Sequence, residues 1–485
     1  MDAQNIRRLT GSVIIRLLQI AVVGIALFIA AFTLLHLLAV KTHPQRLGVP
    51  TSADKWLLRN VNIVETVGDS ELIPNVDVLI IGGKIAAIDA SGHIPLDSTV
   101  VDGNGAYVTA GLIDSHVHVE DSAYLALALA KGVTTVRGMR GNPAQLRWRD
   151  EIEQGLWLGS RFLVYSPILD GQENLFHTHV ANAEQAAERV RDYAAMGYDG
   201  IKVYARMPAA ALDRVIATAR NFDLPVAKHG PYSGNDSLLL SLSGIQSFEH
   251  IEDILYGLRV QSAESARTLP DAITEYKAVG VPIVSTLAVF QELTLLSEHK
   301  LHYLKQQPLQ YMNRAHRQLT HEFGVQRWLD ASAEQAKRNA HTLKALLHIA
   351  QQLHLQGVPL ILGSDSGALI GQAGFATHKE MALLVEAGLP ERAVIHSATL
   401  AAAKMLGKAH LIGAVKPGLA ADFVLTRRNP LQDISVLSTP DAVVKQGIYL
   451  NKQRLEALEQ NALNTQSPWL TYPLLLWEPL KRLIL

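Results

Sequence analysis

Between residues 112 and 367, short strand-like runs alternate with helical stretches, and this alternation restricts the fold more than any other feature of the chain. Eight runs occur: LIDSHVHV (112–119), TTVRG (134–138), RFLVYSP (161–167), GIKVYA (200–205), PVAKHG (225–230), QSFEHI (246–251), PIVSTL (282–287) and LILGSDSG (360–367). A helix between successive strands carries the chain back along the sheet, so neighbouring strands run parallel. Eight such units within about 290 residues point to a (β/α)8 TIM-type barrel enlarged by insertions. The fold class is α/β, and 48% hydrophobic residues in a chain of 485 supply its core.

Shorter β-type segments flank this region. LLRNVNIVE, DVLIIGGKIAAID and STVVDGNGAYVTAG precede it, and a similar texture returns in LIGAVKPGLAADFVLTRRNP and DAVVKQGIYLN. Neither flank is long enough for a core of its own, so residues 49–110 and 408–455 are expected to form one split β-sandwich domain. The barrel then occupies 111–407. A polar helical insertion at about 288–357, including SAEQAKRNAHTLKALLHIAQQLH, should cap its mouth. Residues 456–485 form an apolar tail, rich in Trp, Leu and Pro, that either packs on its own domain or lies at a membrane interface.

The N-terminal segment, 1–48, sets the environment. No charge interrupts Leu17 to Val40, and at about 1.5 Å per residue this run reaches roughly 36 Å, enough to cross a bilayer. Arg7, Arg8 and Arg16 precede it, which places the N-terminus in the cytoplasm and the rest outside, in the periplasm if the cell is bacterial. The run is long for a cleaved signal peptide and lacks a clean cleavage site, so a single N-terminal transmembrane helix is expected. With 44 basic and 45 acidic residues there is no field to attract nucleic acid. The absence of cysteine excludes disulfides, thiolate metal sites and a cysteine nucleophile. No pattern in the chain bears on its oligomeric state.

Chemistry concentrates at the strand ends. In an extended strand alternate side chains share a face, so His116 and His118 point the same way, a spacing that suits two ligands of one metal ion. Nineteen histidines also supply decoys such as His177 and His179 in FHTHV. Alternation in GIKVYA turns Ile201 and Val203 toward the helices and Lys202 inward, where an uncompensated ammonium is costly. His229 ends the fifth run, His250 the sixth and Asp365 the eighth. All six residues fall at the C-terminal rim, where active sites of such barrels are built.

On these residues the chain resembles the amidohydrolase superfamily, in its imidazolonepropionase-like and metallo-dipeptidase-like branch with a carboxylated lysine. AGLIDSHVH, GVTTVRGM, SATLAAAKMLG and IGAVKPGLAADFVL carry the resemblance, which covers about 56–455. It implies that His116 and His118 bind a first metal, that His229 and His250 bind a second, and that Asp365 is the catalytic acid/base. It further implies that Lys202 takes up carbon dioxide as a carbamate bridging two divalent ions, most readily zinc. The implied activity is hydrolysis of amide or peptide-like bonds in a small-molecule substrate, such as dipeptides or N-acyl amino acids. A cyclic amidase or lactonase of the same superfamily, or a catalytically inactive membrane-tethered binding protein, remains an alternative. Tyr232, Tyr204, Arg137 and His378 are substrate-binding candidates, each with a plainer structural role open to it. Glu249 and Glu252 flank His250 as supporting or surface groups.

Overall fold

The computed structural model describes residues 3–42, 45–50, 53–89, 99–230, 244–259 and 268–484. Four strands, β1 (Lys55–Val64), β2 (Leu72–Ile81), β3 (Lys84–Asp89) and β4 (Thr99–Ala110), open the globular part. β4 runs into β5 (Leu112–Val117) through Gly111 alone. A Cβ on Gly111 would lie 2.2 Å from the Thr134 hydroxyl, so only glycine lets the chain pass here. β6 (Val133–Gly138), β7 (Arg161–Val164), β8 (Leu169–Asp170), β9 (Thr178–His179), β10 (Ile201–Val203), β11 (Val226–His229), β12 (Ile245–Glu249), β13 (Ile283–Val284) and β14 (Leu360–Ile361) follow. β15 (Phe423–Thr426), β16 (Ala442–Lys445) and β17 (Ile448–Asn451) come last.

Strands from both flanks share one sheet, in the order β17-β16-β15-β4-β1-β2-β3. It is one continuous seven-stranded sheet rather than two stacked ones. The reason is β4, whose two edges are both used: it pairs parallel with β1 and antiparallel with β15. A bridge between Lys84 and Ala420 curls the far edge back. Trp56, Leu58, Val61, Ile63, Val108, Phe423 and Val444 fill its core.

The central region is of the TIM-barrel type. β5, β6 and β7 pair in parallel, as do β10 to β14 in chain order. Single parallel bridges, Tyr165 with Gly200 and Val117 with Ser366, connect these two sets. Each of the eight strand-like runs read from the sequence overlaps one of these strands, though several are only two to four residues long.

The segment 287–355 is largely helical. It contains the helices Leu287–Gln306, Arg314–Thr320 and Ala333–Leu355. In the last, Ser332 accepts a hydrogen bond from the Gln335 amide as N-cap, and Leu346, Ile349, Ala350 and Leu353 bury one face. The N-terminal apolar helix spans Ala3–Lys41 and the tail forms a helix, Pro468–Ile484. The tail packs on its own chain: Asn313 donates to Thr471 Oγ1 at 3.0 Å, and Tyr472 donates to Gln318 at 2.6 Å.

Candidate metal centre

His116, His250 and Asp365 place ligand atoms within 4.8 Å of one another. Asp365 Oδ1 lies 3.5 Å from His116 Nε2 and 2.9 Å from His118 Nε2, while Asp365 Oδ2 is 4.0 Å from His250 Nδ1. The His229 ring stands 4.3 Å from that of His250 and 4.3 Å from Tyr204, on which it stacks. Lys202, 1% exposed, lines the same cavity of 420 Å³. The six residues singled out at the strand ends therefore converge.

Backbone conformation aims them. His250, Thr286 and Asp365 have φ of 75°, 56° and 52°, and they follow the ends of β12, β13 and β14. Non-glycine residues are rare in this left-handed region, and held there they mark a constrained site. Strict alternation in β12 turns Ser247 and Glu249 inward and would turn His250 out; the left-handed twist at 250 reverses that. Gly367 serves the same purpose, since a Cβ there would stand 2.2 Å from the His118 carbonyl.

A buried relay holds His116. Arg137 Nη2 donates to both carboxylate oxygens of Glu249, at 2.8 and 3.0 Å, and Glu249 Oε2 sits 2.6 Å from His116 Nδ1. Burial works against the Glu249 charge, but Arg137 and Lys202 outweigh it and hold the carboxyl below its usual range. An ionised carboxylate only accepts, so His116 Nδ1 carries the proton and Nε2 keeps its lone pair toward Asp365. His250 Nδ1 pairs with Thr286 Oγ1 at 2.9 Å. Asp114 anchors the loop after β14, accepting from the Ser364 and Thr377 hydroxyls at 2.6 and 2.7 Å.

The donor set suits cations. Among the described residues, Lys202 Nζ, Asp365 Oδ1, His118 Nδ1 and His229 Nδ1 are buried without a hydrogen-bond partner, and orphaned buried atoms are costly unless something binds them. Burial, followed by neighbouring positive charge, holds His116, His229 and His250 well below the usual imidazole range, so they present lone pairs at neutral pH. Burial also lowers Lys202 to about 8.

The remaining candidates divide. Tyr204 lines the cavity, and burial, then Asp253, raises its hydroxyl to about 12. Arg137 is fully buried and committed to Glu249, Ser115 and Ser247, and it does not line the cavity. His378 does not line the cavity; its Nε2 pairs with the Lys131 carbonyl at 2.8 Å on the helix Phe375–Glu386. Tyr232 lies outside the described residues. Glu252 lines the cavity, while Glu249 is the buried support just described. His177, grouped with decoys on sequence grounds, joins the cavity wall 4.6 Å from Tyr204, with Asp170 2.8 Å from its Nδ1. Sequence reasoning also missed Thr286, Asp253, which lies 3.4 Å from His229 Nε2, and the cap residues His316 and Phe323. None sits in a motif, because each reaches the site through tertiary packing.

Comparisons with known proteins identify the family. A model described as "Amidohydrolase family" matches residues 107–449. The chain belongs to the amidohydrolase family. Among solved structures it is similar to bottromycin amidohydrolase, at TM-score 0.71 and 25% identity over 86% of this chain and 91% of that one. A putative prolidase from Bifidobacterium longum shares the fold at TM-score 0.64 and 22% identity, over 84% of this chain and 99% of its own. Adenine deaminase 2 of Rhizobium meliloti (strain 1021) is 39% identical over 102 residues, 19% of this chain and 17% of the deaminase. Urease subunit alpha 1 of Streptomyces avermitilis is 27% identical over 187 residues, 36% of this chain and 32% of the subunit. The chain thus spans a third or less of these curated relatives.

Proposed function

We propose that this chain is a metal-dependent hydrolase acting on carbon–nitrogen bonds, cleaving amide or peptide-like bonds of small dipeptides or N-acyl amino acids. His116, His118, His229, His250, Asp365 and a carboxylated Lys202 hold two divalent cations, for which zinc suits the nitrogen and oxygen donors. One observation carries this reading: His118 Nε2 and Asp365 Oδ1 stand 2.9 Å apart, and Asp365 Oδ1 has no hydrogen-bond partner among the described residues. Two lone-pair atoms at that separation can share one cation between them. Family membership and the prolidase and amidohydrolase neighbours support the same chemistry.

Bound cations supply Lewis acidity and an activated water at neutral pH. The chain's residues do the rest. Asp365, at the junction of both histidine pairs, is placed to accept a proton from the attacking water and return it to the leaving nitrogen. Tyr204, kept protonated by burial, can donate a hydrogen bond to substrate. The insertion, through His316, Leu319 and Phe323, covers the cavity and restricts water. Around this site the eight strands close into a barrel, and the N-terminal helix anchors it to a membrane with the body outside the cytoplasm.

Metal counting on purified protein, with Lys202→Ala beside wild type, tests the proposal. The wild type should hold about two metal ions per chain. The variant should hold one or none and lose at least about 10³-fold in turnover of an N-acyl amino acid. Full metal content and full activity in the variant would overturn the bridged pair.

A further inference from the structure

The way the N-terminal helix meets the body determines which face lies against a membrane. Ile29, Phe32, Thr33, His36, Ala39 and Val40 are buried or half-buried at helical spacing, whereas Leu34, Leu35, Leu37 and Leu38, turned away, are 47–59% exposed. The docked stripe lies against the tail helix: His36 donates to the Pro473 carbonyl at 3.3 Å, and its ring stacks on Trp477 at 4.0 Å. Leu17 to Phe28 alone would give about 18 Å of free apolar helix. The hydrocarbon core is about 30 Å thick, so a bilayer around this helix must also reach the docked half and the tail helix beside it.

That same corner is the rim of the candidate site. A second cavity, of 850 Å³, is lined by His36, Leu474 and Trp477 together with Leu175 and Thr178. The adjoining residues Leu475, Phe176 and His177 line the metal-site cavity, so the same two segments contribute to both cavities. Ile168, Phe176, Leu319, Phe323 and Leu475 add apolar groups to the lining of the metal-site cavity, beside the histidines and Asp365. Outward apolar groups continue along this edge, with Phe323 69%, Leu175 45% and Trp469 81% exposed. A tryptophan so exposed, on a helix packed against a membrane span, is placed as interfacial aromatics are. A long acyl chain can bury many more methylenes against such a wall than a dipeptide side chain can.

We infer that the cavity opens at the bilayer surface and that its substrate is an amide bearing a long acyl chain, a long-chain N-acyl amino acid, drawn from the lipid phase. This rests on the hydrolase and membrane-anchor readings above. The amide lies at the metal centre while the chain runs past Phe323 and Leu475 toward the membrane.

The test uses the full, zinc-loaded chain in phosphatidylcholine vesicles, assayed on N-acetyl, N-octanoyl and N-palmitoyl forms of one amino acid and on a dipeptide. From acetyl to octanoyl, kcat/KM should rise at least about tenfold as methylenes leave water. Turnover of the acetyl compound or dipeptide equal to that of the long-chain amides would overturn this inference and leave the hydrolase standing. No turnover of any amide would overturn the hydrolase reading and this one with it. A second readout does not depend on activity: lipids spin-labelled near the headgroup should quench tryptophan emission, and Trp469→Phe should remove part of that quenching. Identical quenching in the wild type and the variant, with both inserted in vesicles, would overturn the bilayer-facing mouth.

Discussion

Glu249 shows how a residue that contacts no substrate governs the site. It neutralises buried Arg137 and orients His116, so Glu249→Gln keeps the shape but removes the charge from both. Metal affinity should fall about 10–100-fold in a chelator competition, and stability by about 3–5 kcal/mol in denaturant unfolding, because the guanidinium is left uncompensated. Unchanged affinity would mean that His116 needs no such support. The histidines also set a pH dependence. In metal-free protein the folded pKa values of His116, His229 and His250 lie well below the 6.5 of the unfolded chain, through burial first. Below about pH 6.5 the unfolded chain binds protons that the folded site refuses, so stability is present above that pH and is lost as pH falls toward the folded values. The Tm of chelated protein should drop by at least about 3 °C between about pH 7.5 and 5; a flat profile would show that these imidazoles are not held neutral. The candidate residues were legible because strand periodicity assigns a face to His116, His118 and Lys202, while His229, His250 and Asp365 stand out by their place at strand ends. The sequence left Glu249 ambiguous and misjudged His177, since β12 changes face at His250 and His177 arrives on a loop with no period.

Among the elements, the insertion is joined to the rest partly by polar contacts, two of which Asn313 makes. As N-cap of the helix Arg314–Thr320 it accepts from the Ala315 amide at 2.9 Å, and its side-chain amide donates to Asp121 at 2.6 Å and to Thr471 at 3.0 Å. Asn313→Ala should cost about 1–2 kcal/mol. It should also loosen the cap over the cavity, read as faster limited proteolysis within 300–330 and a raised KM at similar kcat. Protection equal to wild type would show that apolar packing alone holds the cap. The eight strand positions were readable because alternation and flanking helices are local signals. The single curled sheet was not, because β4 joins β1 on one edge to β15, more than 300 residues later, on the other.

For the whole molecule, the balance of charge and apolar surface predicts behaviour that can be measured directly. A helix whose side chains from Leu17 to Phe28 lie open to the surroundings is a poor surface in water. The full chain should stay with the membrane pellet after alkaline carbonate washing and leave it in detergent; release by carbonate alone would argue against a spanning helix. Composition and period, by themselves, determined the α/β class, the position of each strand, the candidate residues at the strand ends and the apolar run at the start. These follow from properties of neighbouring residues: backbone pleat, helical turn and the cost of burying charge. Tertiary structure alone decided which way His250 turns, that Arg137 pairs with Glu249 rather than lining the cavity, and that the tail helix ties the N-terminal helix to the cap. Each of those depends on side chains distant in the chain meeting in space, and no local pattern encodes that meeting.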